Sequence, residues 1–428
     1  KRFIYANLIY SMKLATLGSD KSVTTINAIM TEILTDIKPS EIYVYRESAP
    51  KKPLQGLKDV LKMLGISADI HEKIIGEGVT TWKEKISKED IDVFDITPGR
   101  KYMALASANY SHAREVRYVY LKEESQGYRI FGYTPFEKLK VFRMNDGKEI
   151  KINPPPYTLE SLDKESTLDV ESLTALYNIL KLHGEVKLKV GFDYVEDLDD
   201  EFIKTCKIRS GMLRFKEEEE ISKYLKPDMN NAFIADTNVY INIGNRIRKL
   251  FYEKDKGFIL LPSISVYNEL DYKLEGTQKG DQKRVLFRLG MNTYKSVHKS
   301  LIPEVEKRMG DVALKKEAED LKRNLPYNVI IITGDKGLAL SSHSVKTLLL
   351  KELSPSEEYD LGEFLYCLSF SEYYYGGKKL GIEVDGKEVA EIVNDINNED
   401  YRVKVRTLNS KYNYAKLLES LMKLNISD

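Results

Sequence analysis

Apolar, β-rich runs alternate with amphipathic stretches along the first third of the chain, which predicts strands and helices in turn. The predicted strands are Lys13–Leu17, Glu41–Tyr45, Ala68–Ile75, Ile91–Ile96 and Val116–Leu121. The predicted helices are Val23–Ile37, Leu54–Leu64 and one that begins at Tyr102. Strands that alternate with helices of this length are typical of an α/β fold with a parallel, doubly wound sheet. Ligands of such sheets bind beyond the carboxyl ends of the strands, so we expect a site there.

The run Pro154–Pro156 separates this region from the rest, because consecutive prolines neither donate to a strand ladder nor continue a helix. Helical spacing follows over Leu168–Leu182, and the acidic run Glu217–Glu220 is interpreted as a solvated helix face. The predicted domains are a Rossmann-like α/β domain at 1–150, a helical connector or winged-helix-like module at 157–228, a second α/β domain at 231–377, and a small α/β extension at 378–428.

The tail after Lys378 predicts two strands, Leu380–Val384 and Tyr401–Arg406, and a closing helix, Tyr412–Leu424. We expect this extension to cover a cleft, to extend a dimer or to complete the core.

Composition indicates an ordinary globular chain. Lys and Arg together number 66, as do Asp and Glu, so no overall basic field indicates nucleic acid and any such binding requires a local patch. Cys206 and Cys367 lie far apart in the sequence, which favours a reducing compartment over a disulfide framework. No apolar run approaches the ~20 residues of a membrane span, and no signal pattern opens the chain. We therefore expect a cytoplasmic protein with no membrane partner.

Four short acidic motifs lie between residues 235 and 336, each at the end of an apolar run or near the start of a predicted helix. Their carboxylates are Asp236, Glu269, Asp311 and Asp335. Two such charges roughly 4 Å apart repel by about 4 kcal/mol at an effective dielectric near 20, so a cluster requires cations. Oxygen ligands select a hard divalent ion, Mg²⁺ or Mn²⁺, and metal-assisted phosphodiester cleavage is the leading chemistry.

The choice among neighbouring acids follows from helix geometry. Asp271 lies two positions after Glu269, and residues two apart do not share a helix face, so we favour Glu269. Glu317 and Asp320 compete with Asp311 for the third position.

The segments "ADTN", "LPSISVYNEL" and "IITGDKGLA" resemble the first, second and last acidic motifs of the PIN domain, a metal-dependent ribonuclease fold. This resemblance implies a Mg²⁺ or Mn²⁺ site held by Asp236, Glu269, Asp311 and Asp335, where metal-activated water cleaves single-stranded RNA. Thr333 and Asn238 would orient water or a carboxylate. The five histidines show no metal-ligand spacing and are expected to be surface or core residues.

Two segments at predicted strand ends of the first domain suit an anionic ligand or a ribose. Gly18 and Gly99 allow close approach of the backbone, and hydroxyls and helix N-termini follow them. Arg100 and Lys101 add positive charge.

The segments "ATLGSD" and "DITPGRKYMALAS" resemble the two ligand loops of the CARF domain, the sensor of cyclic oligoadenylates in type III CRISPR defence. Pro98 and Arg100 depart from the common Gly and Thr of the second loop. The resemblance implies a homodimer with the ligand on its two-fold axis, and such symmetry favours cyclic tetra-adenylate or hexa-adenylate. The implied ligand-binding residues are Thr16, Gly18, Ser19, Asp20, Thr97, Gly99, Arg100 and Lys101.

Three hypotheses follow. The first is a cyclic oligoadenylate-activated endoribonuclease of antiviral defence. The second is a ligand-responsive transcription regulator that binds DNA through the central helices. The third is a PIN toxin-like ribonuclease without allosteric control.

Overall fold

The computed structural model describes residues 11–50, 54–122, 129–160, 163–226, 230–253, 257–278, 280–298 and 308–425. Contacts divide the chain into two compact units. The first unit runs to Val186 and includes Glu383–Ala390 and the segment from Val405 onward. The second unit comprises Lys187–Ile382 and Glu391–Lys404.

The first unit contains a seven-stranded sheet with the strand order β3-β2-β1-β4-β5-β6-β7. The strands are β1 (Lys13–Leu17), β2 (Glu41–Arg46), β3 (Asp69–Ile74), β4 (Val93–Asp95), β5 (Glu115–Leu121), β6 (Leu139–Arg143) and β7 (Lys148–Ile150). The pairings among β1 to β5 are parallel, and β6 and β7 add in antiparallel fashion. The predicted α/β class with a parallel-rich sheet is therefore confirmed.

Helices follow the strands of this unit in turn. The helices are α1 (Ser22–Ile33), α2 (Leu57–Met63), α3 (Val79–Ile86), α4 (Lys101–Tyr110) and, after β8 (Glu165–Asp169), α5 (Val170–Lys181). Trp82 of α3 and Met103 of α4 are buried in a core cluster with Tyr45 and Phe94 of the strands. This cluster supports β1 and β4 from one side of the sheet.

The segment after the proline run belongs to the first unit, although the sequence assigned it to a connector. The Thr158 amide donates to the Lys411 carbonyl at 3.0 Å, and the Leu159 amide donates to the Met63 carbonyl at 2.8 Å. The Tyr414 hydroxyl donates to the Pro156 carbonyl at 3.1 Å. The division between units consequently falls after Val186 and not at the prolines.

The second unit contains a three-stranded parallel sheet with the order β12-β15-β16. The strands between Val186 and Pro355 are β9 (Val186–Val190), β10 (Asp193–Tyr194), β11 (Leu213–Phe215), β12 (Asn231–Ala235), β13 (Tyr252–Glu253), β14 (Gly257–Phe258), β15 (Asn328–Thr333), β16 (Lys346–Leu349) and β17 (Leu353–Pro355). Both β12 and β15 are almost wholly buried, as continuous apolar strands of a parallel sheet are. After Gly257 the chain forms the two-residue strand β14, and Leu260 makes an isolated bridge to Phe233.

The helices of the second unit are α6 (Glu201–Ser210), α7 (Glu218–Tyr224), α8 (Thr237–Ile243), α9 (Ile247–Leu250), α10 (Ile264–Gly276), α11 (Gln282–Val297), α12 (Asp311–Asn324), α13 (Lys336–Ser341), α14 (Leu361–Leu368) and α15 (Ser371–Tyr374). The interpretation of Glu217–Glu220 as a solvated face was wrong at one position. Glu218 is buried and accepts hydrogen bonds from the Arg246 guanidinium at 2.8 and 3.0 Å.

The expectation of unpaired cysteines was also wrong, because Cys206 of α6 and Cys367 of α14 form a disulfide. Both residues are fully buried, and their Cα atoms lie 5.4 Å apart. Sequence distance misled here, since packing of α6 against α14 brings together residues separated by 161 positions.

The tail contains three neighbouring strands, not two: β18 (Leu380–Val384), β19 (Lys387–Val393) and β20 (Arg402–Thr407). The turn before β19 places Asp385 and Gly386 at φ 48° and 77°, the positive values that a two-residue hairpin turn requires. The closing helix is α16 (Tyr414–Asn425), which packs on α2 and α5 and completes the core of the first unit. Within the described residues, no helix combines the length and the hydropathy needed to cross a membrane.

Candidate functional site

The strand order reverses between β1 and β4, because β1 pairs with β2 on one side and with β4 on the other. Open α/β sheets bind ligands at the carboxyl ends of the strands that flank such a switch point. The register pairs Thr16 with Asp95, so the segments that follow both residues leave the sheet at the same edge. The two candidate loops of the first unit therefore lie at the switch point.

The loop after β1 is held by Arg46 at the end of β2. The Gly18 amide donates to the Tyr45 carbonyl at 2.8 Å, and Arg46 Nη1 donates to the Ser19 carbonyl at 3.0 Å. A Cβ on Gly18 would lie 2.3 Å from Arg46 Cγ, so glycine is required for this close approach. The Arg46 guanidinium also donates to Glu72 at 2.7 Å, which orients it.

The loop after β4 is anchored by Asp95. Its carboxylate accepts from the Thr97 amide at 2.7 Å, and the Thr97 hydroxyl accepts from the Val119 amide at 2.7 Å. Burial and the neighbouring Glu32 raise the pKa of Asp95 well above its usual range. Glu32 in turn accepts from Arg117 Nη1 at 2.8 Å, so a buried cation is paired with the neighbour of Asp95.

The structure separates the eight predicted ligand residues by exposure. Thr16 is fully buried, and Gly18, Ser19 and Thr97 are half-buried. The remaining four are exposed: Asp20, Gly99, Arg100 and Lys101. The exposed backbone, hydroxyl and cationic groups at this edge suit an anionic ligand.

Two residues at the end of β2 escaped the sequence analysis. Glu47 Oε2 lies 3.2 Å from Arg100 Nη1, and its carboxylate also accepts from the Tyr102 hydroxyl. Arg46 supports the first loop, and Glu47 holds the cation of the second. In the sequence, these residues could have been found as a charged pair, Arg46-Glu47, at the end of a buried parallel strand. That position places both residues at the edge of the sheet where the two candidate loops lie.

A cavity of about 70 Å³ lies between α1 and this edge of the sheet. Its lining includes Thr24, Asn27, Thr97, Val119 and Phe131. The cavity adjoins the second loop through Thr97.

The second unit places Asp236 at the carboxyl end of β12, as the sequence predicts. One carboxylate oxygen, Oδ1, accepts from the Val239 amide at 3.0 Å and caps α8. The other, Oδ2, accepts from the Thr333 hydroxyl and from the Gly334 amide. Burial raises the pKa of Asp236 to about 6, and the charge of Glu269 adds to the rise, whereas the Thr333 hydroxyl opposes it.

Glu269 lies on α10 and is half-buried, with Lys273 one turn later as its ion-pair partner. Asp271 is exposed. Of these two acids, Glu269 is the one whose charge raises the pKa of Asp236.

Asp335 follows β15 and caps α13, where its Oδ1 accepts from the Leu338 amide at 3.0 Å. Its own amide donates to the Thr333 hydroxyl at 2.8 Å. Thr333 therefore connects Asp236 to the segment that carries Asp335. A Cβ on Gly334 would lie 3.5 Å from Asn238 Cβ, so Asn238 also borders this segment.

Asp311 is exposed in the first turn of α12. Its competitor Glu317 caps the start of α10, since its carboxylate accepts from the Ile264 amide at 2.8 Å and from the Ser263 hydroxyl at 2.7 Å. Asp320 lies 3.6 Å from Arg323 in an exposed ion pair. Glu317 and Asp320 thus have partners of their own.

Across the ranges given above, no group of three or more His, Cys, Asp or Glu side chains is arranged to hold a metal. The structure brings Asp236 and Glu269 together electrostatically but does not assemble the four predicted carboxylates. Two carboxylates nevertheless suit Mg²⁺, which typically keeps several waters and takes one or two protein carboxylates together with substrate phosphates. The unfavourable charge on buried Asp236 is the feature that a bound cation would relieve.

No family model matches the chain, and no curated protein matches it. Among solved structures, Can2 from Sulfobacillus thermosulfidooxidans in complex with cyclic tetra-adenylate is similar at 10% identity and a TM-score of 0.29, covering 79% of this chain and 94% of that one. Protein VC1899 from Vibrio cholerae shows 10% identity, the same coverages and a TM-score of 0.28. The S. aureus MnaA structure with UDP shows 12% identity, 80% coverage of each chain and a TM-score of 0.19. TM-scores this low do not establish a common fold.

Proposed function

We propose that this chain is a cyclic oligoadenylate-activated, metal-dependent endoribonuclease of type III CRISPR antiviral defence. The observation that carries the proposal is the desolvated Asp236, held by Thr333 and Gly334 beside a second carboxylate, Glu269. A buried acid with a raised pKa at the end of a parallel strand is a common feature of catalytic sites. The resemblance of the surrounding motifs to the PIN domain supports the assignment to RNA cleavage.

Asp236 and Glu269 would hold Mg²⁺ or Mn²⁺, with Asp311 and Asp335 as the further carboxylates. A divalent ion there would neutralise phosphate charge and lower the pKa of water. The chain's own contribution is orientation. The Thr333 hydroxyl and the Gly334 amide fix one oxygen of Asp236, and the Val239 amide fixes the other, so the carboxylate cannot rotate freely.

The first unit would bind the activator at the switch point between β1 and β4. The Gly18 loop brings backbone close to the ligand, and Arg100 and Lys101 supply positive charge for its phosphates. A symmetric homodimer suits a ring with two-fold symmetry, which favours cyclic tetra-adenylate over an odd-numbered ring.

Activation would complete the set of carboxylates around Asp236. The two carboxylates that the structure brings together suit a resting state in which Asp311 is not yet engaged. To convert such a protein from about 1% to about 99% active, the ligand must bind the active arrangement roughly 10⁴-fold more tightly.

The test is incubation of the purified protein with labelled single-stranded RNA and Mn²⁺, with and without cyclic tetra-adenylate and hexa-adenylate. Cleavage only with ligand is expected. Equal cleavage in both conditions would instead indicate the unregulated nuclease, and ligand binding without any cleavage would favour a transcription regulator. Asp236→Asn is the control for a contaminating nuclease.

A further inference from the structure

Helices α6 and α8 cap each other's carboxyl ends through two arginines. Arg209 of α6 donates from Nη1 to the carbonyls of Tyr240 and Ile241 in the last turn of α8, at 3.3 and 2.7 Å. Arg246, which follows α8, donates to the carbonyls of Ile208 and Arg209 at the end of α6, at 3.0 and 3.3 Å. Cations at helix C-termini satisfy the last carbonyls and oppose the helix dipole.

The two arginines differ in how they are held. The Arg209 side chain is fully buried, and its Nη2 donates to Glu363 at 2.7 Å, to Tyr401 at 3.0 Å and to Thr293 at 3.1 Å. The Arg246 side chain is 15% exposed and pairs with Glu218. Arg209 is thus bound from several elements at once and cannot move without breaking a buried ion pair.

The surroundings of Arg209 are themselves closely packed. A Cβ on Gly244, at the end of α8, would lie 2.7 Å from Glu363 Oε1 and 3.0 Å from the Arg209 guanidinium carbon. The disulfide joins the same two helices that carry the ion pair: Cys206 precedes Arg209 by three residues on α6, and Cys367 follows Glu363 by four on α14. The cation is therefore held in place by a covalent link as well as by hydrogen bonds.

Helix α8 requires support of this kind because it is only seven residues long. A helix shorter than about 12 residues is marginal by itself and depends on packing and capping at its ends. Its N-terminus is capped by the carboxylate of Asp236, the central residue of the proposed cleavage site. Fraying from the C-terminal end would therefore reach Val239 and release one of the hydrogen bonds that orient Asp236.

We propose that Arg209 is a positioning residue for the acidic site: by capping the C-terminal end of α8, it holds the Asp236 carboxylate in the orientation that binds the divalent cation. This proposal rests on the proposed function. Arg209 touches neither substrate nor metal and acts through α8 alone.

The test compares Arg209→Met with Arg246→Met, a matched change in the same reciprocal pair. Hydrogen exchange is measured for the amides of α8 and α6, and Mn²⁺ affinity is measured by electron paramagnetic resonance. R209M is expected to lose at least tenfold protection in α8 and about tenfold in Mn²⁺ affinity. R246M should reduce protection at the end of α6 and leave Mn²⁺ affinity within about twofold of wild type.

The double variant R209M/E363M separates positioning from stability. Removing both partners of a buried ion pair is far less destabilising than removing one, so the double variant should regain most of the melting temperature lost in R209M. It still lacks the donors to the Tyr240 and Ile241 carbonyls, so weak Mn²⁺ binding and poor α8 protection should persist. The proposal would be overturned if the double variant regained Mn²⁺ affinity and α8 protection along with its melting temperature. Unchanged α8 protection in R209M would overturn it as well. Absence of Mn²⁺ binding in the wild type would instead refute the proposed function, and α8 protection would still decide the role of Arg209.

Discussion

Asp95 and Asp236 each end a buried parallel strand, one in each unit, but the fold treats their charges differently. Asp95 lies beside Glu32, whose carboxylate is paired with the buried Arg117, and burial together with the charge of Glu32 raises the pKa of Asp95 well above its usual range. Asp236 lies beside Glu269 and accepts only neutral donors, the Thr333 hydroxyl and two backbone amides. The neighbouring acid has a buried cationic partner in the first unit, Arg117, and a partly exposed one in the second, Lys273.

Under the proposed function, this difference separates an acid pair that anchors a loop from one that would meet a metal. At the switch point of the first unit, the buried acids anchor a loop, and exposed groups such as Arg100 would remain for a ligand. In the second unit, the buried acid itself is the group that would meet the metal. Charge removal should therefore affect folding in the first unit and activity in the second.

The largest effect is expected from Asp236→Asn. Loss of this carboxylate should reduce ligand-activated RNA cleavage by more than about 100-fold. This exceeds the loss of about 10- to 100-fold that is typical when a residue that only contacts a metal ligand is changed. Asparagine keeps an acceptor for the Val239 amide but turns an N–H group toward the Gly334 amide, whereas it removes a desolvated charge; because these effects oppose each other, the protein should still fold with only a small change in melting temperature. The measurement is cleavage rate together with thermal unfolding, and Asp271→Asn on the exposed face of α10 is the control. A D236N protein that cuts RNA at the wild-type rate would contradict the assignment.

A direct comparison of the two units uses Glu32→Gln and Glu269→Gln. E32Q leaves the buried Arg117 with Glu115 as its charged partner and should cost about 3 kcal/mol, the lower end for breaking a buried pair. E269Q loses one partly exposed ion pair with Lys273 and should cost less than about 1 kcal/mol. Urea unfolding measures both variants, and cleavage should fall in E269Q. Equal stability losses would show that Glu32 and Glu269 do not differ in the proposed way.

The comparison extends to pH through two histidines: half-buried His183, which bonds to the Tyr414 hydroxyl in the first unit, and buried His298, which bonds to the Tyr240 hydroxyl in the second. Burial lowers the pKa of both and brings that of His298 to about 4. A neutral buried histidine stabilises the fold fully above its unfolded pKa of ~6.5, and this stability is lost as the pH falls toward 4, by about 3 kcal/mol. His298→Gln should remove that part of the acid sensitivity, measured as unfolding free energy between pH 7 and pH 4. Identical pH profiles for wild type and H298Q would exclude His298 as the cause.

The smallest effect is expected from Glu47→Gln. The Glu47 carboxylate competes with an anionic ligand for Arg100, and the ion pair is partly exposed, so its removal should strengthen ligand binding by no more than about fivefold. Calorimetric titration with cyclic tetra-adenylate measures this change. Weaker binding in E47Q would mean that Glu47 orients Arg100 for the ligand and does not compete with it.

Local patterns predicted the parallel strands well, because such strands are buried on both faces and appear as continuous apolar runs such as Val329–Ile332. Two of the strands that the patterns missed follow Asp146-Gly147 and Asp385-Gly386, and both dipeptides are hairpin signals. The hairpin strand Lys387–Val393 alternates charged and apolar residues, a weaker signal than an apolar run. The patterns also missed helix α3, because charged residues such as Lys83 and Lys85 separate its few apolar positions.

Short-range periodicity and turn chemistry were enough to predict the fold class, the loops at the strand ends and the acids that follow β12 and β15. Which charges pair with one another depends on the tertiary structure, since Arg117 meets Glu32 and Arg209 meets Glu363 across 85 and 154 positions. The same holds for the disulfide across 161 positions, which sequence spacing argued against. Desolvation and charge pairing depend on which groups surround a side chain in three dimensions, and local sequence patterns contain no direct record of that environment.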